Sequence, residues 1–217
     1  TYVGFTATPF ANVFIDPDTD EDMANADLFP EHFIYVLPTP SSYIGATKIF
    51  QDDGKYNGWL KFITDIEEPD NDEIKVASPS ELIEGEFYHK HPKEWSGKLP
   101  ASLDEAVYSF LLANVIRDLR GDKQQPRTMM VNMSRFTKVQ RYIKTYIEQL
   151  YKFIFDTVNI DFSNNDAKNK KLQIYQKFAQ VWERHYSHLG IPVEKVLQKN
   201  VLLESIGKIK VVVVNSS

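Results

Sequence analysis

The sequence predicts an α/β fold in which a parallel sheet is covered by flanking helices. The nearly uninterrupted apolar run at 209–214 is typical of a strand that is buried on both faces. A shorter apolar stretch at 128–133 lies between two segments with helical periodicity, at 102–119 and about 135–155. Because strands alternate with segments of helix length, we expect parallel strands that are joined through helices in one sheet.

The chain opens with an apolar strand pattern that stops at a polar turn. Residues 2–5 are mostly β-forming, and Thr6, Ala7, Thr8 and Pro9 follow them directly. Ligands of open α/β sheets bind beyond the carboxyl ends of strands, where the two hydroxyls would reach a phosphate or a catalytic carboxylate. The alternative is that the Thr-Pro pair only ends a strand. Since the first residue is not Met, we expect the chain to be a piece of a longer protein.

The net charge of −5 conceals a strong asymmetry between the two parts of the chain. Residues 1–100 carry 7 Lys and Arg against 19 Asp and Glu, whereas residues 101–217 carry 18 against 11. A polyanion such as DNA is therefore expected to bind the second part. The alternative is that the two parts neutralise each other where they touch.

The composition also excludes several classes of protein. The chain has no Cys, which rules out disulfides and thiolate metal sites and suits a reducing compartment. No apolar run approaches the roughly 18 residues of a membrane span. We therefore expect a cytoplasmic protein without a membrane partner.

Two groups of residues resemble metal sites but have unsuitable spacing. Asp70, Glu73 and Lys75 spell the carboxylate-x-lysine pattern of magnesium-dependent nucleases, but two residues between the carboxylates leave no room for the hairpin that such sites need. His89 and His91 would share one face of a strand, yet they lack a convincing third ligand. We expect an exposed loop at the histidines and no metal site.

The second part of the chain contains the clearest helix signals. Pro100 marks the expected domain boundary, and Ser102 with Glu105 has the spacing of a capping box. Gly121 stands where the C-cap of that helix belongs. Ser134 is expected to cap the next helix, and a third helix is expected over 166–189 with an aromatic stripe used for packing.

Several segments, in order along the chain, resemble one known family. The run Gly4-Phe5-Thr6-Ala7-Thr8-Pro9 is similar to motif III of superfamily-two helicases, a turn that links the ATP site to the nucleic-acid site. With further segments it resembles the Z-one domain family, also called the Z-one endonuclease family, which is found with superfamily-two helicase cores in bacterial restriction and defence systems. These segments are 8–16, 27–30, 38–45, 99–106, 131–137 and 211–215.

The resemblance implies a RecA-like fold and a division into two parts. Residues 1–99 would be the end of a first RecA-like lobe with an acidic insertion, and residues 100–217 the first half of a second lobe with a helical insertion. Thr6, Ala7, Thr8 and Pro9 would form the relay between nucleotide and DNA.

The resemblance also implies a DNA contact in the second part. The segment from Asn132 to Arg135 corresponds to motif IV, so Ser134, Arg135 and Lys138 would contact DNA phosphates. A capped helix with an ordinary surface Arg is the alternative reading of the same residues.

The function implied is that of an ATP-dependent, DNA-acting protein of the restriction or defence type. Its partners would be DNA, the rest of the helicase core, and a nuclease or methyltransferase, and its cofactors would be ATP and Mg²⁺. This chain has no Gly-x-x-x-x-Gly-Lys-Ser/Thr loop, so we do not expect it to hydrolyse ATP alone. The alternative is a non-catalytic α/β module that docks a nuclease or specificity subunit.

Overall fold

The structure is a computed structural model that describes residues 35–164 and 166–214. The described residues are helical, and their β-structure is limited to one isolated parallel bridge between Glu86 and Lys98. The chain divides into two compact units, residues 1–61 and 62–217. The predicted boundary between residues 99 and 100 is a different one, because it separates two lobes of a helicase core. It stays a prediction.

The described part of the first unit, residues 35–61, contains little regular structure. Helix α1 covers Ala46–Phe50, and a 3₁₀ turn covers Asn57–Trp59. The Lys48 amino group donates hydrogen bonds to the carbonyl oxygens of Ser41 at 2.5 Å and Tyr43 at 2.6 Å. Residues 35–37 are exposed and irregular.

The second unit is built from helices of very unequal length. A 3₁₀ turn at Ser187–Leu189 separates the last long helix from two short ones. The helices are α2 (Asn71–Val76), α3 (Pro79–Glu84), α4 (Ala101–Leu119), α5 (Thr137–Ile160), α6 (Asp166–Asn169), α7 (Gln173–His185), α8 (Val193–Val196) and α9 (Lys199–Ile206).

The larger core lies around α4, which packs against α5, α7, α8 and α9. Leu112 and Val115 of α4 are completely buried. Tyr108 meets Phe178 of α7 edge to face, with ring centroids 4.8 Å apart. Since Trp182 is buried in the same core, the aromatic stripe of α7 serves packing, as the sequence predicts.

The smaller core joins residues 86–99 to the starts of α4 and α5. Trp95 is 1% exposed and lies in this core with Leu103 of α4 and Val139 of α5. The loop doubles back tightly, because the backbone N–H of Lys98 donates to the carbonyl oxygen of Gly85 at 3.0 Å. A Cβ atom at Gly97 would lie 1.9 Å from that same oxygen, so this approach of the two backbone segments requires glycine.

The predicted RecA-like parallel sheet is wrong, because the described residues contain no strand. The segments at 128–133 and 209–214 do show the alternating burial of strands. Met129, Val131 and Met133 are partly buried and pack against the helical cores, while the residues between them are exposed. Within the described residues neither segment has a ladder of main-chain hydrogen bonds to a neighbouring strand, and such pairing is what makes a strand.

The capping box predicted at the start of α4 is also wrong. The Ser102 hydroxyl has no hydrogen-bond partner in the described structure, and Pro100 occupies the N-cap position. Asp65 takes over the capping role, since its Oδ2 accepts a hydrogen bond of 2.8 Å from the backbone N–H of Ser102. Contact with a distant residue has replaced the local pair.

The predicted end of α4 is confirmed. Gly121 follows the helix with a φ of +85°, in the left-handed region that favours glycine. Its N–H donates to the carbonyl oxygen of Asp118, and the N–H of Asp122 donates to that of Arg117. The helix predicted over 166–189 is interrupted, because irregular residues separate α6 from α7.

Arg127 ties the segment after α4 back onto that helix. Its guanidinium donates to the carbonyl oxygen of Asn114 at 2.9 Å, to the carboxylate of Asp118 and to the carbonyl oxygen of Asp122. The side chains of Arg127 and Asp118 are only 11% and 13% exposed. Burial raises the pKa of Asp118, but hydrogen bonds from Arg127 and Ser205, together with the charges of Arg127 and Lys123, outweigh it and hold the pKa below its ordinary value.

Replacing Arg127 by Met is expected to lower the free energy of unfolding by about 3–5 kcal/mol, because Asp118 loses the partner of its buried charge. Arg120→Met is the matched control, since Arg120 is exposed and the change should stay within about 0.5 kcal/mol. Urea unfolding followed by circular dichroism measures both. Equal effects of the two substitutions would contradict this role for Arg127.

A second polar link joins α4 to α7. The carboxylate of Glu105 accepts from Nε2 of His185 at 2.6 Å and from the guanidinium of Arg184. Burial raises the pKa of Glu105, but these hydrogen bonds outweigh it, so the pKa lies below its ordinary value of 4.5. The link therefore favours the folded state when Glu105 is ionised.

Glu105→Gln is expected to lower the free energy of unfolding by about 1–3 kcal/mol near neutral pH, because two hydrogen bonds to a charged group are weakened. Since the folded-state pKa is lowered, the stabilisation exists above pH 4.5 and disappears as the pH falls through the folded-state value. Urea unfolding from neutral pH into that acid range should show the two proteins converging. Glu183→Gln, an exposed change on α7, should show no such convergence.

Candidate nucleic-acid interface

A cleft of about 460 Å³ opens where residues 89–91 meet residues 132–136. The first wall belongs to the loop that contains Trp95, and the second is the turn that leads into α5. The smaller core holds both walls, because Phe87 and Trp95 pack there with Met133 and Phe136. The cleft is thus formed by residues that are more than forty positions apart in the sequence.

The turn before α5 is fixed by Ser134, which is 7% exposed. Its hydroxyl accepts a hydrogen bond of 3.0 Å from the backbone N–H of Phe136, and its carbonyl oxygen accepts one of 2.8 Å from the side chain of Gln140. Because α5 begins at Thr137, the N–H group that the hydroxyl binds belongs to the residue before the helix. Ser134 therefore shapes the turn, and its predicted role as the N-cap is wrong.

Two basic side chains line the cleft. Arg135 is exposed, and its guanidinium lies over the ring of Phe136 at 4.9 Å from the centroid. Lys90, on the opposite wall, is also exposed. Among the described residues that line the cleft, none is acidic.

Lys138 lies in the first turn of α5, beside the cleft. Its Nζ is 3.6 Å from Oε1 of Glu94, and both side chains are more than half exposed. An ion pair so exposed and so long contributes little to stability. Lys138 is therefore available to another anion.

The two histidines of the cleft have different surroundings. His91 is 3% exposed, and its ring contacts those of Phe87, Trp95 and Phe136, at centroid distances of 5.2, 5.9 and 5.7 Å. His89 is exposed. The loop predicted here is thus exposed at His89, but the prediction is wrong for His91.

Each imidazole is held through Nδ1. That of His91 bonds to the carbonyl oxygen of Pro92 at 2.9 Å, and that of His89 bonds to Oε1 of Glu68 at 2.6 Å. Burial raises the pKa of Glu68, but the hydrogen bonds from His89 outweigh it and lower the pKa below its ordinary value. Glu68 thus orients the exposed imidazole at the edge of the cleft.

A second cleft, of about 570 Å³, has the opposite character. Asp65, Glu67, Glu86 and Asp104 line it together with tyrosines of α5. The hydroxyl of Tyr146 donates to Oδ1 of Asp104 at 2.7 Å, and burial together with that carboxylate raises the pKa of Tyr146 to about 12. Lys98 also lines the cleft and pairs with Oε1 of Glu86 at 2.7 Å. Because the carboxylates still outnumber this one cation, the cleft suits a cation rather than a phosphate.

The structure brings together part of the predicted site. Ser134 and Arg135 line the cleft, and Lys138 follows one turn into α5. The predicted relay residues Thr6, Ala7, Thr8 and Pro9 lie outside the described residues.

Sequence reasoning did not connect Lys90, His91 or Arg141 with the predicted DNA contact. Arg141 is exposed, and its spacing of three residues from Lys138 would have identified it from sequence. No sequence signal places Lys90 or His91 beside the turn, since only long-range packing brings them there.

The carboxylates of the nuclease-like pattern have a structural role. Asp70 is the N-cap of α2, and its backbone N–H donates a hydrogen bond of 2.8 Å to Oε2 of Glu73, which completes a capping box. The part of the chain that the structure describes shows no group of three or more His, Asp or Glu arranged to hold a metal ion. Nor does any helix in that part combine the length and apolar character of a membrane span.

Comparisons with known proteins identify the family. Residues 102–217 match the family model described as the Z1 domain, which covers α4 to α9 and the turn of the basic cleft. No curated protein and no solved structure matches the chain. The matched region is more than half of the sequence, so the chain belongs to the Z1 domain family, the Z-one family that its motifs resemble.

Proposed function

We propose that this chain is a nucleic-acid-binding part of an ATP-dependent, helicase-like protein that acts on DNA in restriction or defence. The observation that carries the proposal is the cleft between residues 89–91 and 132–136, which presents Arg135 and Lys90 and no acidic lining residue among those described. A phosphate of the DNA backbone is the ligand that this arrangement suits.

The start of α5 adds main-chain donors to these charges. Its N-cap, Phe136, makes no side-chain capping hydrogen bond, so the helix start is not satisfied by its own cap. Free N–H groups and the partial positive charge of a 24-residue helix favour an anion at this end. The planar guanidinium of Arg135 offers paired donors to phosphate oxygens beside it.

Basic residues continue from the cleft along α5. Arg135, Lys138 and Arg141 are exposed and spaced three residues apart. This spacing places Lys138 and Arg141 on neighbouring turns of one helix face. Such a row suits a linear polyanion, whose successive phosphates would extend beyond the cleft.

The rest of the proposed activity belongs to the longer protein. There Thr6, Ala7, Thr8 and Pro9 would relay between nucleotide and DNA, and ATP and Mg²⁺ would bind elsewhere in the helicase core. A nuclease or methyltransferase would be the functional partner, in the cytoplasm. This chain lacks the phosphate-binding loop and would supply DNA contacts.

A second candidate function is a non-catalytic module that docks a nuclease or specificity subunit. The acidic cleft lined by Asp65, Glu67 and Asp104 favours it, because a basic segment of a partner would find complementary charge there. This function becomes the better one if the basic cleft proves irrelevant to DNA binding.

Arg135→Ala is expected to weaken DNA binding about tenfold, by a similar factor for unrelated sequences, because a phosphate contact carries no base information. The slope of log affinity against log salt should flatten by about one unit. Fluorescence anisotropy with two labelled duplexes of different sequence measures both quantities. Arg120→Ala, an exposed change just beyond α4, is the control and should leave both unchanged. Unaltered affinity and slope in Arg135→Ala would reject the cleft as the DNA site.

Glu94→Gln is expected to strengthen DNA binding about threefold, because it removes the carboxylate beside Lys138 and frees that cation for phosphate. The gain should disappear in the background Lys138→Met, where there is no cation to release. The same anisotropy titration tests both. An equal gain with and without Lys138 would show that Glu94 acts on DNA through general charge alone.

A further inference from the structure

Buried in the wall of the basic cleft, His91 is a polar residue whose hydrogen-bonding capacity is only half used. The side chain is 3% exposed, and its Nδ1 is bound to the carbonyl oxygen of Pro92 at 2.9 Å. Its Nε2 has no hydrogen-bond partner among the described residues, although the residue lines the cleft. A ring nitrogen without a protein partner, in a residue that lines a cleft, is a reason to look for a ligand.

The bond to Pro92 fixes which proton the ring carries. A carbonyl oxygen can only accept, so Nδ1 must hold the hydrogen and a neutral ring presents Nε2 as an acceptor. A phosphate oxygen is also an acceptor, so the neutral ring offers it nothing. A protonated ring, in contrast, presents an N–H and a positive charge toward the cleft.

We propose that His91 is a phosphate-contacting residue of this cleft, which takes up a proton when a DNA strand binds and donates Nε2–H to a backbone phosphate. The inference rests on the proposed DNA-binding function and adds a pH-dependent contact to it. It assigns to the buried histidine a role that the exposed cations cannot have, since Arg135 and Lys90 are charged with or without ligand.

A bound phosphate would couple proton uptake to binding, because its negative charge favours the imidazolium. The ionisable groups on the surrounding elements are Glu68, Tyr88, His89, Lys90, Glu94, Arg135 and Lys138.

Two of the nearby carboxylates are already engaged. Glu68 is bound to His89, and Glu94 lies beside Lys138. His89 is the other imidazole that lines the cleft, so the experiment has to separate it from His91.

The test is calorimetric titration of the whole chain with a single-stranded thymidine oligonucleotide of about 20 residues. The bases of this probe do not titrate near neutral pH. Each titration is carried out in two buffers of different ionisation enthalpy, so that protons taken up on binding can be counted. The wild-type protein should take up a proton on binding, and its affinity should fall about tenfold between about pH 6 and about pH 8. His91→Phe keeps the ring packing and should abolish both effects. His91→Gln, which keeps polarity but cannot titrate, should do the same.

Two control variants make the outcome specific. His188→Phe removes an exposed imidazole from the 3₁₀ turn after α7 and should retain proton uptake. His89→Phe should retain it as well. Thermal melting shows whether each variant is folded, and the two His91 variants are compared only where their melting curves match the wild type.

The two proposals fail in different ways. Absence of binding to the oligonucleotide at every pH would overturn both. Binding that is weakened by Arg135→Ala but shows no proton uptake would leave the proposed function standing and overturn the role of His91. Proton uptake that survives in both His91 variants, or disappears with His89→Phe, would overturn it too.

Discussion

The burial of Trp95 against the starts of α4 and α5 is the constraint on which the rest of the site depends. Its indole meets the ring of Phe87 at 5.1 Å and that of Tyr142 at 5.6 Å, both nearly edge to face. Tyr142 adds a hydrogen bond of 2.8 Å to the carbonyl oxygen of Gly97. These contacts hold residues 86–99 on α5, and without them the two walls of the basic cleft would have no fixed relation.

One packed loop thereby separates two clefts of opposite charge. Lys90 and His91 line the basic cleft, whereas Glu86, in the same loop, lines the acidic cleft with Asp65 and Asp104. Separation of the charges matters because a carboxylate inside the basic cleft would repel phosphate. Three of the acidic residues of the segment 1–100, namely Asp65, Glu67 and Glu86, line that second cleft.

Local sequence rules predicted those elements whose cause is local. The end of α4 at Gly121 depends on one residue that adopts a positive φ, and the prediction was correct. The cap of the same helix was predicted wrongly, because Asp65, 37 residues away from Ser102, accepts the backbone hydrogen bond that the Ser102 and Glu105 pair was expected to replace. Glu105 is instead used for the link to His185 and Arg184. A capping box and a long-range ion pair require the same residue types, so sequence alone does not distinguish them.

The sequence by itself determined the family, through its ordered motifs, and the three long helical regions, through their periodicity, although irregular residues interrupt the third. It singled out Arg135 through the resemblance to motif IV. Only the tertiary structure decided whether the apolar runs at 128–133 and 209–214 are strands. Their alternating burial is local, but a sheet needs a partner chain segment, and the described residues provide helices for them to pack on. The tertiary structure also decided the burial of His91 in the wall of the cleft. The rings of Phe87, Trp95 and Phe136 surround it, and only folding brings these three residues together.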